Sequence, residues 1–265
     1  MPIAELNGWK IAYEDAGRGP PVVLIHGLLM DRTMFDSQVE ALGDRYRLIT
    51  PDLRGHGDSE KRAEEHSQWD LVEDHIALCD HLGIDRAVFG GVSQGGFQSL
   101  RAALRHPGRV AGLILIDTQA GPEDEVRAPM YEAFSEVVAT DGWNEEILDS
   151  AAISMFGSSA NQELKEHWKR RWQAQPTRAA RQTMYAVSRR DDITERLGEI
   201  HAPAVVIHGE EDAAIEIEKA ETLADGLPNL IEFVKVPAAG HSSTVEQPEA
   251  LSEAIERFLA KAYPG

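Results

Sequence analysis

Short apolar runs alternate along the chain with longer segments whose apolar residues recur at the spacing of a helix. Runs of about 4–8 residues rich in Val, Ile and Leu are typical of strands buried on both faces. These runs predict strands at residues 22–25, 46–50, 87–92, 110–117, 204–209 and 231–236, and the looser alternation of residues 10–15 predicts an edge strand. The helical spacings predict helices at residues 36–42, 69–82, 94–106, 216–227 and 247–262. Because parallel neighbouring strands need crossover connections, the alternation predicts a mostly parallel sheet with helices on both faces.

The pattern changes between residues 121 and 199, where no run of β-branched residues appears. Trp, Met and Phe lie there among charged residues at helical spacing, which predicts an all-helical insertion. Its helices are expected at residues 129–140, 143–156, 162–174 and 177–190. We therefore divide the chain into an α/β core formed by residues 1–120 and 200–265 and a helical cap formed by residues 121–199.

The charge balance narrows the classes of partner. The chain has 26 Lys and Arg against 45 Asp and Glu, a net charge of −19, which repels nucleic-acid phosphates and anionic lipid surfaces. We expect neither a nucleic-acid partner nor a membrane partner. The N-terminus lacks the basic flank and apolar segment of a signal peptide, and no stretch is long enough to span a membrane, so a cytoplasmic location is expected. Cys79 is the only cysteine, which excludes an intramolecular disulfide, and its place in a predicted helix indicates a buried core residue.

Ser93 lies at the junction between the predicted strand 87–92 and the predicted helix 94–106. A strand that turns into a helix within one residue strains the backbone of that residue, and the residues two positions away must lack side chains to avoid collision. Gly91 and Gly95 meet this requirement. The turn would project the serine hydroxyl from the sheet edge, beside helix N–H groups that can stabilise a developing oxyanion. The pattern therefore predicts a nucleophilic serine.

A serine hydroxyl needs a base beside it, and the base needs a group that orients it. Asp212 follows the predicted strand 204–209, and His241 follows the predicted strand 231–236. Both strands are expected to be buried. Because ligands of parallel sheets bind beyond the carboxyl ends of the strands, we expect both side chains to lie near Ser93.

The loop after the strand 22–25 reads His26-Gly27-Leu28-Leu29. A glycine there lets the backbone bend close to whatever lies above the sheet, so Leu28 is well placed to offer its N–H. Apolar side chains of this loop and of the cap are expected to line a substrate pocket. The candidates for substrate binding are Leu29, Trp143, Met155, Met184 and Tyr185.

A Gly-rich loop at residues 52–59 is a candidate for phosphate binding. It lacks the lysine of a P-loop and the glycine spacing of a dinucleotide fingerprint, so no nucleotide cofactor is expected. Asp52 and Arg54 are expected to brace this loop against its neighbours. His56 stands in the wrong part of the chain to follow a catalytic acid, and we expect it to be structural.

Taken together, these features resemble the α/β-hydrolase family, in the form of a single core domain with an inserted cap. The likeness spans nearly all of the chain and is carried by five ordered motifs, at residues 26–28, 52–59, 91–95, 209–212 and 240–241. The resemblance implies a mostly parallel, eight-stranded, doubly wound sheet with an inserted all-helical cap. It also implies that Ser93 is the nucleophile, His241 the general base and then acid, and Asp212 the orienting acid.

The resemblance further implies an oxyanion hole formed by the N–H groups of Leu28 and Gln94. For the acid, Glu210 and Glu211 remain alternatives to Asp212, and some relatives place the acid after the earlier strand, where Asp117 lies.

The serine also narrows the reaction. Haloalkane dehalogenases and epoxide hydrolases resemble this chain in fold but use an aspartate where Ser93 stands, which leaves acyl chemistry. We expect an esterase or lactonase that acts through an acyl-enzyme on a small-molecule carboxylic ester or lactone, with acyl-homoserine lactones among the candidates. No cofactor and no metal are expected, because the triad needs none and the histidines lack close paired spacing.

Three alternatives remain open at this stage. A carbon–carbon bond hydrolase of ring-cleavage products would need a cation for the substrate carboxylate, and Arg178, Arg181 and Arg189 of the cap are candidates for it. A cofactor-free haloperoxidase shares the same motifs. A ligand receptor derived from a hydrolase is the non-enzymatic alternative, and the complete Ser, Asp and His set argues against it.

Overall fold

The computed structural model describes residues 1–263 of the chain, apart from the side chain of Arg178. The strands are β1 (Ile3–Leu6), β2 (Trp9–Gly17), β3 (Pro21–Ile25), β4 (Arg47–Pro51), β5 (Ala87–Val92), β6 (Val110–Ile116), β7 (Ala204–Gly209) and β8 (Leu230–Val236). The helices are α1 (Asp36–Leu42), α2 (Gln68–His81), α3 (Gln94–Arg105), α4 (Arg127–Asp141), α5 (Glu145–Met155), α6 (Gln162–Gln173), α7 (Thr177–Ser188), α8 (Ile217–Gly226), α9 (Ser243–Glu246) and α10 (Pro248–Ala262). No helix within residues 1–263 combines the length and the apolar character needed to cross a membrane.

The strands form one sheet in the order β1-β2-β4-β3-β5-β6-β7-β8. In this order the six strands from β4 to β8 are parallel to one another, whereas β2 pairs antiparallel with both β1 and β4. The expected mostly parallel, eight-stranded sheet is therefore confirmed. Because β5 to β8 are parallel, their carboxyl ends meet at the same edge of the sheet.

Two sequence-based expectations about the strands need correction. The pattern did not predict β1, whose signal is the pair Asn7-Gly8: both residues have positive φ, +49° and +82°, as a two-residue hairpin turn requires. The strand before His241 was expected to be buried, but β8 is the outer strand of the sheet and is only partly covered. An edge strand keeps one side open to solvent, which explains its more polar sequence.

The core lies on both faces of the sheet. Alternate residues of each central strand point to opposite faces, so that in β3 Val22 and Leu24 pack into one cluster and Val23 and Ile25 into the other. The first cluster includes residues of α1 and α10, and the second includes residues of α2, α3 and α8. This two-faced burial explains why the central strands are continuous apolar runs rather than alternating ones.

The segment between β6 and β7 contains only helices, α4 to α7, in agreement with the expected helical insertion. Its aromatic residues continue the first cluster, with Trp168 and Trp172 almost fully buried. Two polar contacts tie it to the loop after β3, because Arg171 pairs with Asp31 and the Gln175 amide donates a hydrogen bond of 3.1 Å to the Leu29 carbonyl oxygen. The insertion therefore packs directly against the carboxyl edge of the sheet.

Candidate active site

Ser93 joins β5 to α3 with a backbone conformation that L-residues rarely adopt, φ +54° and ψ −113°. The chain passes so close to β3 that a Cβ atom on Gly91 or Gly95 would lie well inside 3.0 Å of the Ile25 carbonyl oxygen. Glycine is therefore required on both sides of the serine, and the strained turn predicted from the sequence is confirmed.

Backbone contacts hold this strained residue in place. The Ser93 N–H donates a hydrogen bond of 2.9 Å to the Ile116 carbonyl oxygen, so the turn is anchored to β6. The Ser93 carbonyl oxygen accepts hydrogen bonds from the Phe97 N–H at 3.0 Å and from the Thr118 hydroxyl at 2.8 Å. Within the described part of the chain the Ser93 hydroxyl itself forms no hydrogen bond, which leaves it available to a ligand.

His241 lies in the loop after β8 and meets the acid that follows β7. Its Nδ1 is 2.8 Å from Asp212 Oδ2, and the Asp212 Oδ1 accepts hydrogen bonds from the N–H groups of Ala214 and Ile215 at 2.8 and 2.9 Å. These bonds assign the Nδ1 proton to the contact with Asp212 and leave Nε2 as the basic nitrogen. Burial by itself lowers the pKa of His241, but the surrounding carboxyl groups, Asp212 above all, raise it by more, so the pKa lies above its ordinary value.

The other candidate acids make different contacts. Glu211 accepts hydrogen bonds from the N–H and the hydroxyl of Ser158, and Asp117 accepts them from Gly209 and Ser243. Among the acids considered from the sequence, Asp212 alone is hydrogen-bonded to His241 in the described residues.

Ser93 and His241 line the same cavity, which has a volume of about 330 Å³. No hydrogen bond joins their side chains among the described residues, as is common in active sites without a substrate. The remaining lining residues are Leu28, Leu29, Arg127, Met130, Tyr131, Phe134, Ser150, Ala151, Ser154, Met155, Val187, Ala213 and Ala214. The lining is therefore mostly apolar, with a few hydroxyl groups.

Of the five substrate-binding candidates, the structure brings Leu29 and Met155 to this cavity and leaves the other three outside it. Trp143 is buried and donates its indole N–H to the Gln175 carbonyl oxygen at 3.1 Å. Met184 is buried in the core cluster between the insertion and the sheet. Tyr185 lies at a separate surface depression, where its hydroxyl contacts Glu136. Helical spacing places a residue on an apolar face but does not say which neighbour covers that face.

The sequence-based search missed the stripe of α4 that faces the cavity. Arg127, Met130, Tyr131 and Phe134 lie at positions i, i+3, i+4 and i+7 of one helix face, and this spacing was the signal. Burial raises the pKa of Tyr131 to about 12, so its hydroxyl stays neutral. Arg127 is engaged by the Glu216 carboxylate and the Ala214 carbonyl oxygen. The single arginine found in the described cavity lining is therefore neutralised.

The predicted oxyanion donors, Leu28 and Gln94, follow β3 and Ser93 respectively. Gln94 is the first residue of α3, where backbone N–H groups have no acceptor within the helix. Leu28 lies in a tight turn closed by a 3.2 Å hydrogen bond from the Met30 N–H to the Gly27 carbonyl oxygen. Within residues 1–263 neither N–H donates a hydrogen bond to another backbone group outside the regular elements. Both N–H groups thus lack a backbone acceptor among the described residues.

His26 supports this turn from below. Its Nδ1 contacts the Gly27 carbonyl oxygen at 2.8 Å, and its Nε2 accepts the Leu53 N–H at 2.9 Å. The two contacts assign the proton to Nδ1. Burial lowers the pKa of this histidine, so the ring is neutral. His26 therefore links the turn after β3 to the loop after β4.

The loop after β4 has the bracing role expected for it. Asp52 accepts hydrogen bonds of 2.8 Å from the N–H groups of Arg32 and Asp58, and Arg54 forms a bidentate pair with Asp74 at 2.6 and 2.8 Å. His56 is fully buried away from the cavity, with its Nδ1 3.0 Å from the Arg54 carbonyl oxygen. The structural roles expected for Asp52, Arg54 and His56 are confirmed.

One group of side chains in the described part of the chain has the proximity of a metal site, namely Asp117, His208 and Asp212. All four carboxylate oxygens of the two aspartates already accept hydrogen bonds from protein donors, including the His241 contact. A metal ion would have to displace these bonds, so the donor set does not favour one.

Comparisons with known proteins agree with this geometry. A family model described as the alpha/beta hydrolase fold matches residues 20–248. Among solved structures, a thermophilic esterase from Thermogutta terrifontis with malate bound superimposes with a TM-score of 0.93 at 32% identity, covering 99% of both chains. The enol-lactonase from Burkholderia xenovorans LB400 superimposes with a TM-score of 0.90 at 26% identity, covering 98% of this chain and 100% of that one. Among curated proteins, the 2-hydroxymuconate semialdehyde hydrolase of Pseudomonas putida is 30% identical over 96% of this chain and 92% of its own length.

Proposed function

Because the chain belongs to the α/β-hydrolase fold family, we propose that it is a serine hydrolase that cleaves uncharged carboxylic esters or lactones without a cofactor. The observation that carries this proposal is the meeting of three elements at one cavity: the strained Ser93, the imidazole of His241 and, behind it, the Asp212 carboxylate. Each is the residue type that acyl transfer through a serine requires. Residues 121–199 form the cap of this site in the proposal.

The reaction begins when Ser93 Oγ attacks the substrate carbonyl carbon and its proton passes to His241 Nε2. The carbonyl oxygen becomes an oxyanion, which the N–H groups of Leu28 and Gln94 stabilise. The intermediate collapses to an acyl-enzyme as the alcohol leaves with the proton from His241. A water molecule, deprotonated by His241, then attacks the acyl carbon, and the carboxylic acid departs while the proton returns to Ser93. Asp212 holds the imidazole and stabilises its charged form throughout.

The cavity supports an uncharged, partly apolar substrate of small to medium size. A volume of about 330 Å³ lies at the small end of ligand pockets, which span about 300–1,000 Å³. Its apolar walls offer a site for an acyl chain. The one arginine of the described lining, Arg127, is already paired with Glu216. Among the described residues, the cavity lining therefore offers no unpaired Arg or Lys to a substrate carboxylate. Burying that charge without a partner would be unfavourable.

The same contacts weigh against the carbon–carbon hydrolase alternative. Arg181 pairs with Glu136 at 2.6 Å, and Arg189 contacts Glu132 at 2.8 Å and stacks on Tyr185. Neither arginine lines the cavity. The side chain of Arg178, the third candidate, lies outside the described residues. The similarity to an esterase and to an enol-lactonase supports the ester and lactone assignment.

The test is a substrate panel run on the wild type and on S93A. The panel contains p-nitrophenyl esters of two to ten carbons, uncharged lactones including acyl-homoserine lactones, and a vinylogous diketone. We expect hydrolysis of the esters or lactones, and a loss of about 10³-fold or more in kcat for S93A. S99A is the matched control, because Ser99 is buried in α3 and its hydroxyl bonds the Gly95 carbonyl oxygen; it should remain active.

Labelling by a fluorophosphonate probe separates enzyme from receptor. The probe should label the wild type and S99A but not S93A. Labelling without turnover of any panel member would favour the receptor, and turnover confined to the diketone would favour carbon–carbon cleavage. Full ester hydrolysis by folded S93A would overturn the assignment of the nucleophile.

A further inference from the structure

Asp117 is a buried acid that the proposed mechanism does not use. It follows β6 directly, is fully buried, and has a positive φ of +46°, which is rare for a residue with a side chain. It does not line the cavity. A buried acid in a strained conformation persists only where its surroundings hold it there, so its contacts identify what it does.

The Asp117 carboxyl group connects the two loops that carry Asp212 and His241. Its Oδ1 accepts the Gly209 N–H at 2.8 Å, at the end of β7 and three positions before Asp212. Its Oδ2 lies 2.6 Å from the Ser243 hydroxyl and 3.2 Å from the Ser243 N–H, two positions after His241. The backbone N–H of Asp117 also donates to the Ile207 carbonyl oxygen at 2.9 Å. One side chain therefore bridges both loops.

The charged neighbours of Asp117 determine its protonation. Atoms of Asp117, His208 and Asp212 lie within 4.8 Å of one another, and His241 faces the same group from the loop after β8. Burial, and after it the negative charge of Asp212, raises the pKa of Asp117 to about 8. This favours the protonated acid at neutral pH: Oδ2 then donates to the Ser243 hydroxyl oxygen at 2.6 Å and still accepts the Ser243 N–H at 3.2 Å.

His208 lies beside both acids, and its contacts agree with a protonated Asp117. Its Nε2 is 2.9 Å from the Ile215 carbonyl oxygen, so that nitrogen carries the proton. Its Nδ1 is buried without a partner among the described residues and lies 4.0 Å from Asp117 Oδ1. Burial lowers the pKa of His208, which keeps the ring neutral. A lone pair that faces a carboxyl oxygen is better tolerated when that carboxyl group is neutral.

We propose that Asp117 is a positioning residue, whose neutral side chain holds the Asp212 turn and the His241 loop in the register that lets Asp212 Oδ2 meet His241 Nδ1. The inference rests on the proposed function. Asp212 is then left as the charged acid that supports His241.

The test uses the downfield ¹H NMR resonance of the His241 Nδ1 proton, which reports the contact with Asp212 whether or not the protein turns over. H241A assigns the resonance. We expect D117A to lose or shift the resonance and to lower kcat by about tenfold or more, with KM changed by less than about twofold. D74A is the matched control: Asp74 is also buried, but it pairs with Arg54 away from the cavity, so D74A should lose stability and keep both signals.

D117N separates positioning from charge, because an amide resembles the protonated acid. It should keep the resonance and most of the activity at pH 7. Between pH 7 and 9 the wild-type resonance should respond to the ionisation of both His241 and Asp117, whereas in D117N it should follow the titration of His241 alone. Identical titration curves of the resonance in the wild type and D117N would overturn the assignment of the proton to Asp117.

S243A tests the positioning role if D117A does not fold. It removes only the shortest of the three hydrogen bonds of the Asp117 carboxyl group, the one to the Ser243 hydroxyl. We expect a shifted resonance and a severalfold lower kcat. An unchanged resonance and kcat in S243A, or in folded D117A, would overturn the positioning role. A wild type that shows the resonance but hydrolyses nothing would instead refute the proposed function, so the two failures are distinguishable.

Discussion

Replacing Gly95 with alanine tests the geometry on which the site depends. Alanine is normally favoured over glycine in a helix by about 1 kcal/mol, so propensity alone predicts that G95A stabilises α3. The structure predicts the opposite. A Cβ atom at this position would lie well inside 3.0 Å of the Ile25 carbonyl oxygen and 2.8 Å from its carbonyl carbon. Ile25 is held by its pairing with Gly91, so its backbone cannot easily retreat.

The expected magnitude follows from these two opposed effects. Overpacking a well-packed core costs about 1–3 kcal/mol and occasionally more, and here the collision is with backbone rather than with a flexible side chain. Because the collision is with backbone, the upper end of this range applies, and after the propensity gain of about 1 kcal/mol is subtracted we expect G95A to lower the free energy of unfolding by about 2 kcal/mol or more. This is a large share of the roughly 5–15 kcal/mol that stabilises a typical domain.

Urea unfolding followed by tryptophan fluorescence measures this change as a lower midpoint at an unchanged slope. G108A is the matched control, because a Cβ on Gly108 would meet nothing within 4 Å. It should be neutral or more stable by about 0.4–1 kcal/mol. If G95A were as stable as the wild type, β3 and α3 would not approach as closely as described, and the strained turn at Ser93 would lose its physical basis.

Three further predictions concern ionisable groups. Removing the Asp212 charge in D212N should lower the pKa of His241, so the acidic limb of the pH profile of kcat/KM should move to lower pH. The value of kcat should fall by about 10³–10⁴-fold. An acidic limb at the wild-type pH would contradict the pairing of His241 with Asp212. Burial lowers the pKa of His75, so below about pH 6.5 the unfolded state binds one more proton than the folded state, and stability falls as the pH falls. H75Q should reduce the slope of the unfolding free energy against pH by up to about 1.4 kcal/mol per pH unit. Urea unfolding measured from pH 5 to 8 tests this. The folded pKa of Asp117, about 8, lies above its ordinary value of 3.8, so its contribution to stability is lost as pH rises between these values. D117N should reduce that slope, and an identical slope in wild type and D117N would contradict the buried proton.

The sequence was sufficient for the architecture because the driving pattern is local. Buried parallel strands must be apolar throughout, and the helices between them must be amphipathic, so both can be predicted from the sequence. The candidate site residues Ser93 and His241 could be proposed from the sequence for a related reason, since polar residues directly after parallel strands emerge at one edge of the sheet. Strand β1 was missed because its four residues, Ile3–Leu6, carry a weak apolar signal, and the turn pair Asn7-Gly8 was its stronger mark.

What the order of residues alone determined is therefore the doubly wound sheet, the helical insertion and the sharp turn that presents Ser93. Only the tertiary structure decided which acid meets His241, which face of α4 lines the cavity and why Tyr185 does not. The physical reason is that periodicity records that a side chain is covered, whereas the partner that covers it depends on how distant segments pack. The bridge that Asp117 forms between two loops belongs to this second kind, because its partners, Gly209 and Ser243, lie about a hundred residues away along the chain.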